Sequence, residues 1–144
     1  QEIGNATNYS FGYLSELVKS NALTAIQSGA FQRTYVKTIT FDPDSQIQTI
    51  PMFTFQSSQL KKNTLSPGIT KIERSAFDYC ENLTEVKIPP DSQLNQIETN
   101  TFQNTKIESL SIPSKLTKLD EGWNQNLDGL LNITVMPNNS SYID

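Results

Sequence analysis

The chain has 144 residues, 35% apolar and 18% charged, with a net charge of −4. That length suits one domain, the low apolar share implies a thin core, and an acidic balance argues against nucleic acid, whose phosphates need a basic face. No apolar run approaches the ~20 residues of a membrane helix, and the absence of histidine removes histidine triads, histidine metal sites and the usual pH switch.

Residues 1–22 stand apart from the rest of the chain. Within YLSELVKS, residues 13–20, Leu14, Leu17 and Val18 fall at helical spacing. The expectation is a short amphipathic helix covering the first layer of the core; the other reading is a degenerate repeat unit. An opening at Gln1 rather than Met is expected of a mature form or of a fragment.

From Leu23 one phrase is written five times, starting at Leu23, Ile47, Ile69, Leu94 and Leu116, with steps of 24, 22, 25 and 22 residues. Self-similarity at such a period marks a solenoid, whose units bury their apolar faces only by stacking. The units are expected at 23–46, 47–68, 69–93, 94–115 and 116–144, the last incomplete. Each opens with two apolar residues three apart, as in Leu23/Ile26 and Ile72 after Ile69. A small residue and an aromatic follow: Ala30-Phe31, Thr54-Phe55, Ala76-Phe77, Thr101-Phe102, and in the fifth unit Gly122-Trp123. Identical aromatics at one position predict a stacked ladder along the axis.

The strand comes next. Ile39/Phe41, Asn63/Leu65, Val86/Ile88, Leu110/Ile112 and Ile133/Val135 alternate with polar residues, the mark of a half-buried strand. Proline closes the strands at Pro43, Pro67, Pro89, Pro113 and Pro137, because it cannot donate to a ladder. Asn63 breaks the apolar column and, if inward, must bond backbone groups. The long connections FDPDSQ and IPPDSQ alternate with the short LSPG and IPSK, so the true repeat is a pair of about 47 residues. No strand-plus-cap closes the C-terminal side, so an open edge is expected there.

The outward strand positions are the expected partner-binding residues: Thr38 and Thr40, Lys62 and Thr64, Glu85 and Lys87, Ser109 and Ser111, Asn132 and Thr134. Stacked at ~4.8 Å per strand, they form a ribbon rich in hydroxyls. The competing reading is a solvated sheet face, since β-propensity alone accounts for many threonines. Six N-glycosylation sequons begin at Asn5, Asn8, Asn82, Asn132, Asn138 and Asn139. Coincidence in a Ser/Thr/Asn-rich chain competes with genuine modification. Cys80, the single cysteine, reads as a small buried hydrophobe, with a reactive thiol as the alternative. Asp42, Asp44, Asp91 and Asp120 invite a calcium reading, but a turn role is preferred, with Asp44 and Asp91 equivalent before Ser-Gln. No metal, cofactor or catalytic residue is assigned.

The stretch IERSAFDYCENLTEVKIPP, residues 72–90, resembles the BspA-like leucine-rich repeats, with Cys80 at the family's cysteine position. TNTFQNTKIESLSIPSKLTKL and LNITVMPNNSSYI resemble it too, so residues 23–144 are covered. The resemblance implies a right-handed leucine-rich-repeat solenoid of α/β type, with one parallel sheet and short turns or 3-10 segments opposite. It also implies a non-enzymatic adhesion module of a surface or secreted protein, in a style like that of trichomonads. Its expected partners are host, matrix or microbial proteins, with a glycan as a further class and edge-strand self-association in view. The alternative is an intracellular scaffold repeat in the cytoplasm.

Overall fold

A unit of 22–25 residues is too short to close a core, so each unit folds as one layer and the layers stack. In the computed structural model of the chain, residues 2–3, 23–127, 129–130 and 132–137 are described. The helix expected over 13–20 and the sequons at Asn5, Asn8, Asn138 and Asn139 lie outside the described residues.

Among the described residues eleven short strands appear in chain order: β1 Glu2–Ile3, β2 Ala25–Ile26, β3 Thr38–Thr40, β4 Thr49–Ile50, β5 Lys62–Thr64 and β6 Lys71–Ile72. Then come β7 Glu85–Lys87, β8 Gln96–Ile97, β9 Ser109–Ile112, β10 Lys118–Leu119 and β11 Asn132–Val135. Every pairing is parallel. No α-helix occurs among the described residues.

The strands fall into two ribbons. The expected one runs β3-β5-β7 and continues as the separate pair β9-β11; β7 and β9 lie side by side without a ladder between them. A second, narrower ribbon joins β4-β6-β8-β10, with β1-β2 as its neighbour. It is built from the opening pair of each unit, whose second member is buried as Ile26, Ile50, Ile72 and Ile97.

Between the ribbons lies the core. Phe31, Phe55, Phe77 and Phe102 are fully buried. Their rings stack at 5.3, 5.2 and 5.5 Å, tilted by only 22°, 17° and 18°. Trp123 ends the ladder edge-on to Phe102, at 6.4 Å and 82°. A polar file runs beside it: Gln32 Nε2 donates to Gln56 Oε1 at 2.6 Å, and Gln56 Nε2 to Asp78 Oδ2 at 3.3 Å.

The turn around each Phe has a repeated backbone. The residue two before it is left-handed (Gly29, Phe53, Ser75, Asn100), and so is the residue two after it (Arg33, Ser57, Tyr79, Asn104). This alternation sends the N–H groups of 29, 31 and 33 to the carbonyls of 52, 54 and 56 in the next layer. Layers two and three repeat it, from 53, 55 and 57 to 74, 76 and 78, and from 75, 77 and 79 to 99, 101 and 103. On the ribbon side, the bonds outside the ladders run both ways: from Thr84 N back to Lys61 O and from Lys106 N back to Leu83 O, but from Phe41 N forward to Thr64 O and from Leu65 N forward to Lys87 O.

Asn63 and Cys80 carry polar groups into the core. Asn63 is 1% exposed and its Nδ2 donates to Ile39 O at 3.4 Å. Cys80 is buried as well, and its thiol donates to Phe55 O at 3.0 Å. Burial pushes that thiol up to about 11, against the pull of Ser58, so it behaves as packing rather than as a nucleophile. In the long connections, Asp42 Oδ1 accepts from Asp44 N at 2.8 Å. Ser45 and Ser92 accept from Ile47 N and Leu94 N through their hydroxyls. These turns are thus held by Asp42 and the serines rather than by the carboxylates of Asp44 and Asp91.

Candidate functional site

A strand of three residues bounded by polar neighbours must show two side chains on one face and one on the other. In β3, β5 and β7 the middle residues Ile39, Asn63 and Val86 are buried. Thr38, Thr40, Lys62, Glu85 and Lys87 therefore face outward and are exposed, and Thr64 is half-buried. In β9 and β11, Ser109, Ser111, Asn132 and Thr134 are exposed. The ten positions read as outward-facing thus come together on one face.

Register arranges them in two columns. Thr38, Lys62 and Glu85 are successive partners, as are Thr40, Thr64 and Lys87. Ser109 faces Asn132, and Ser111 faces Thr134. The charged residues Lys62, Glu85 and Lys87 occupy the centre, with hydroxyls and one amide around them. The break between β7 and β9 divides this face into a charged half and a neutral half. A rigid backbone beneath short side chains costs little entropy on binding, which favours recognition of a complementary surface. Among the described residues, no three His, Cys, Asp or Glu side chains cluster to hold a metal ion, and no helix is long and apolar enough to cross a membrane.

The last described layer differs from the middle ones. The apolar pattern of the fifth unit expects Leu119, Ile133 and Val135 to be inward, yet they are exposed by 41%, 48% and 62%. No described layer follows to cover them. Asn132 stands on this edge strand and is exposed, whereas Asn82 lies on the turn flank with its Nδ2 donating to Gln59 Oε1 at 2.9 Å.

Sequence reasoning missed three features: the second ribbon, the amide file beside the Phe ladder, and a polar groove on the turn flank. The file had a signal, since Gln follows Phe at Gln32, Gln56 and Gln103.

Comparison with known proteins adds to this geometry. The family model of the BspA type leucine-rich repeat region matches residues 1–142 in six copies. No curated protein matches the chain. Among solved structures, the pneumococcal vaccine antigen PcpA is similar at 26% identity and a TM-score of 0.69, over 80% of this chain and 27% of that one. A leucine-rich cell surface protein from Faecalibacterium prausnitzii shares the fold at 21% identity and a TM-score of 0.59, over 100% of this chain and 45% of that one. The chain therefore spans less than half the length of either.

Proposed function

We infer that this chain, which belongs to the BspA-type leucine-rich repeat family, is a non-enzymatic recognition module of a surface or secreted protein. It binds a host, matrix or microbial protein through the face of β3, β5, β7, β9 and β11. The observation that supports this most is the pair of exposed polar columns held on a fixed parallel ribbon, with charge at the centre. The similar structures described as a vaccine antigen and a cell surface protein point the same way. On this reading, β1 extends the narrower ribbon beyond β2, in the register Glu2↔Ala25.

The test compares binding of the labelled chain to cultured host cells and to immobilised matrix proteins. Replacing Lys62, Glu85, Lys87 and Ser109 with alanine together is expected to weaken binding by at least about tenfold. Replacing Lys118 and Thr117, near the other ribbon, is expected to leave it unchanged. Equal binding by both variants would sink the sheet-face reading. A second reading, a scaffold repeat within an intracellular assembly, draws on the exposed Ile133 and Val135 of β11. It expects concentration-dependent self-association in sedimentation, abolished by replacing both with lysine.

A further inference from the structure

Layers one and two carry a basic patch with an aromatic at its side, where the sheet face begins. Lys37 O accepts from Lys61 N at 2.7 Å and from Lys62 N at 3.3 Å, so three lysine stems start around a single peptide group. All three residues are exposed. Tyr35 lies two residues before Lys37, and at 73% it is the most exposed of the large apolar side chains among the described residues. We propose that this patch binds an acidic segment of a partner protein. The inference rests on the sheet-face reading and names the chemistry of its partner.

The lysines have no carboxylate of their own. Among the described residues every ion pair lies beside the narrower ribbon, where Lys71 meets Glu73 and Glu98, and Lys118 meets Asp120. Even Lys62, whose register partner is Glu85, forms no ion pair with it. Like charges side by side on neighbouring strands destabilise a sheet, so the fold gains nothing from setting Lys37 beside Lys61. The tyrosine serves the repeat no better. Its equivalents in the following layers are Gln59, Asn82, Lys106 and Gly129, so no layer needs a ring there. A tyrosine offers contact area at low entropic cost, and the adjacent cations draw in a surface of opposite sign.

The extent of the patch selects a short acidic stretch over a long polyanion. Charge divides along the chain: residues 23–68 hold four cations and two anions, whereas residues 69–144 hold six cations and eleven anions. The column that starts with Lys37 and Lys61 continues as Thr84 and Glu108, and that of Lys62 continues as Glu85. Both glutamates are exposed. With strands ~4.8 Å apart, the attraction ends after two layers. A sulfated polysaccharide running along the stack meets Glu85 and Glu108 and is repelled. A few carboxylates beside one apolar residue, which packs on Tyr35, fit within these limits.

The test pans a phage-displayed library of short random peptides against the 144-residue chain. The selected peptides are expected to be acidic and to bind more weakly as salt rises. Tyr35→Gln, which installs the second layer's residue, is expected to weaken them by about tenfold. Lys37→Gln combined with Lys61→Gln is expected to do the same, with an unfolding midpoint that stays or rises, which separates lost contact from lost fold. Selection of neutral or basic peptides, or of none, would overturn the proposal. So would acidic peptides that bind these variants as tightly as the parent, and so would a heparin hexasaccharide that binds the patch more tightly than every selected peptide. The same variants are also compared on the host cells and matrix proteins used for the sheet face. If the Lys62, Glu85, Lys87 and Ser109 replacement lowers that binding while the Tyr35 and Lys37/Lys61 variants keep it, the acidic-segment inference fails and the sheet-face reading stands. If all variants bind like the parent, both fail.

Discussion

Phe77 is the most demanding place to test how the layers hold together. It is fully buried between Phe55 at 5.2 Å and Phe102 at 5.5 Å. Phe77→Ala removes the side chain and leaves a cavity, a change that costs about 3–5 kcal/mol in well-packed cores. That range already includes loss of the two ring contacts, each worth roughly 0.5–1.5 kcal/mol beyond burial. A domain of this size has a total stability of about 5–15 kcal/mol, so the variant stays folded but loses a large share of its margin. In a linear stack the damage also has a position. Weakening the middle interface uncouples layers one and two from layers four and five. Trp123, the single tryptophan, reports on the C-terminal layers alone, whereas circular dichroism reports on the whole chain. Urea unfolding of the parent is expected to give coincident curves by both probes. Phe77→Ala should lower the midpoint and separate the two curves. A loss below about 1 kcal/mol, with the curves still superposed, would refute the claim that the ring ladder couples the layers.

Other outcomes follow from single residues. Burial raises the Asp78 carboxyl above its usual value near 3.8, against the donated bond from Gln56, so the folded chain holds that proton more tightly than the unfolded one. The contribution of Asp78 is then fully present below that usual value and is lost as pH rises through the raised folded value. Asp78→Asn, which also continues the amide file, should stabilise the protein by about 1 kcal/mol near neutrality and by little in acid, read from urea midpoints at the two pH values. Cys80, with its thiol raised to about 11, should resist a disulfide reagent in the native state and react at the rate of unfolding. Fast labelling without denaturant would contradict its burial. Gly122 has φ +76, and a Cβ there would lie 3.0 Å from Thr99 Oγ1. Gly122→Ala should therefore cost more than about 1 kcal/mol, measured as a fall in thermal midpoint, whereas Gly129→Ala meets nothing within 4 Å and should be close to neutral.

The repeat phrase carried most of this architecture in readable form. Identical Phe at one register position implied the ring ladder, and the alternation around Ile39, Val86 and Leu110 implied which side chains of the ribbon face out. What stayed hidden has physical causes. Two residues such as Lys71–Ile72 are too short to show a strand period, so the second ribbon was invisible. The left-handed turn positions were hidden because Arg33, Phe53 and Tyr79 occupy them, and these residue types carry no signal for positive φ. Ile133 and Val135 have core spacing but lie on the last described layer, and spacing within a unit says nothing about which neighbour covers it. The flank groove arises from turns of three successive units, a juxtaposition that no local motif records.

The one-way hydrogen bonds of the turns give the stack a direction. Residues 29, 31 and 33 donate toward the C-terminal side, and so do their counterparts at 53, 55 and 57 and at 75, 77 and 79. Along this strip the two sides of each described layer are chemically unlike, with carbonyls facing one way and amides the other. Two copies meeting end to end about a twofold axis would set donor against donor or acceptor against acceptor. A copy added with the same orientation would match. End-on association carried by this strip would therefore be heterologous, repeating into an open filament, whereas a symmetric pair would have to form through the β11 edge, whose twofold copy can pair with it in antiparallel register.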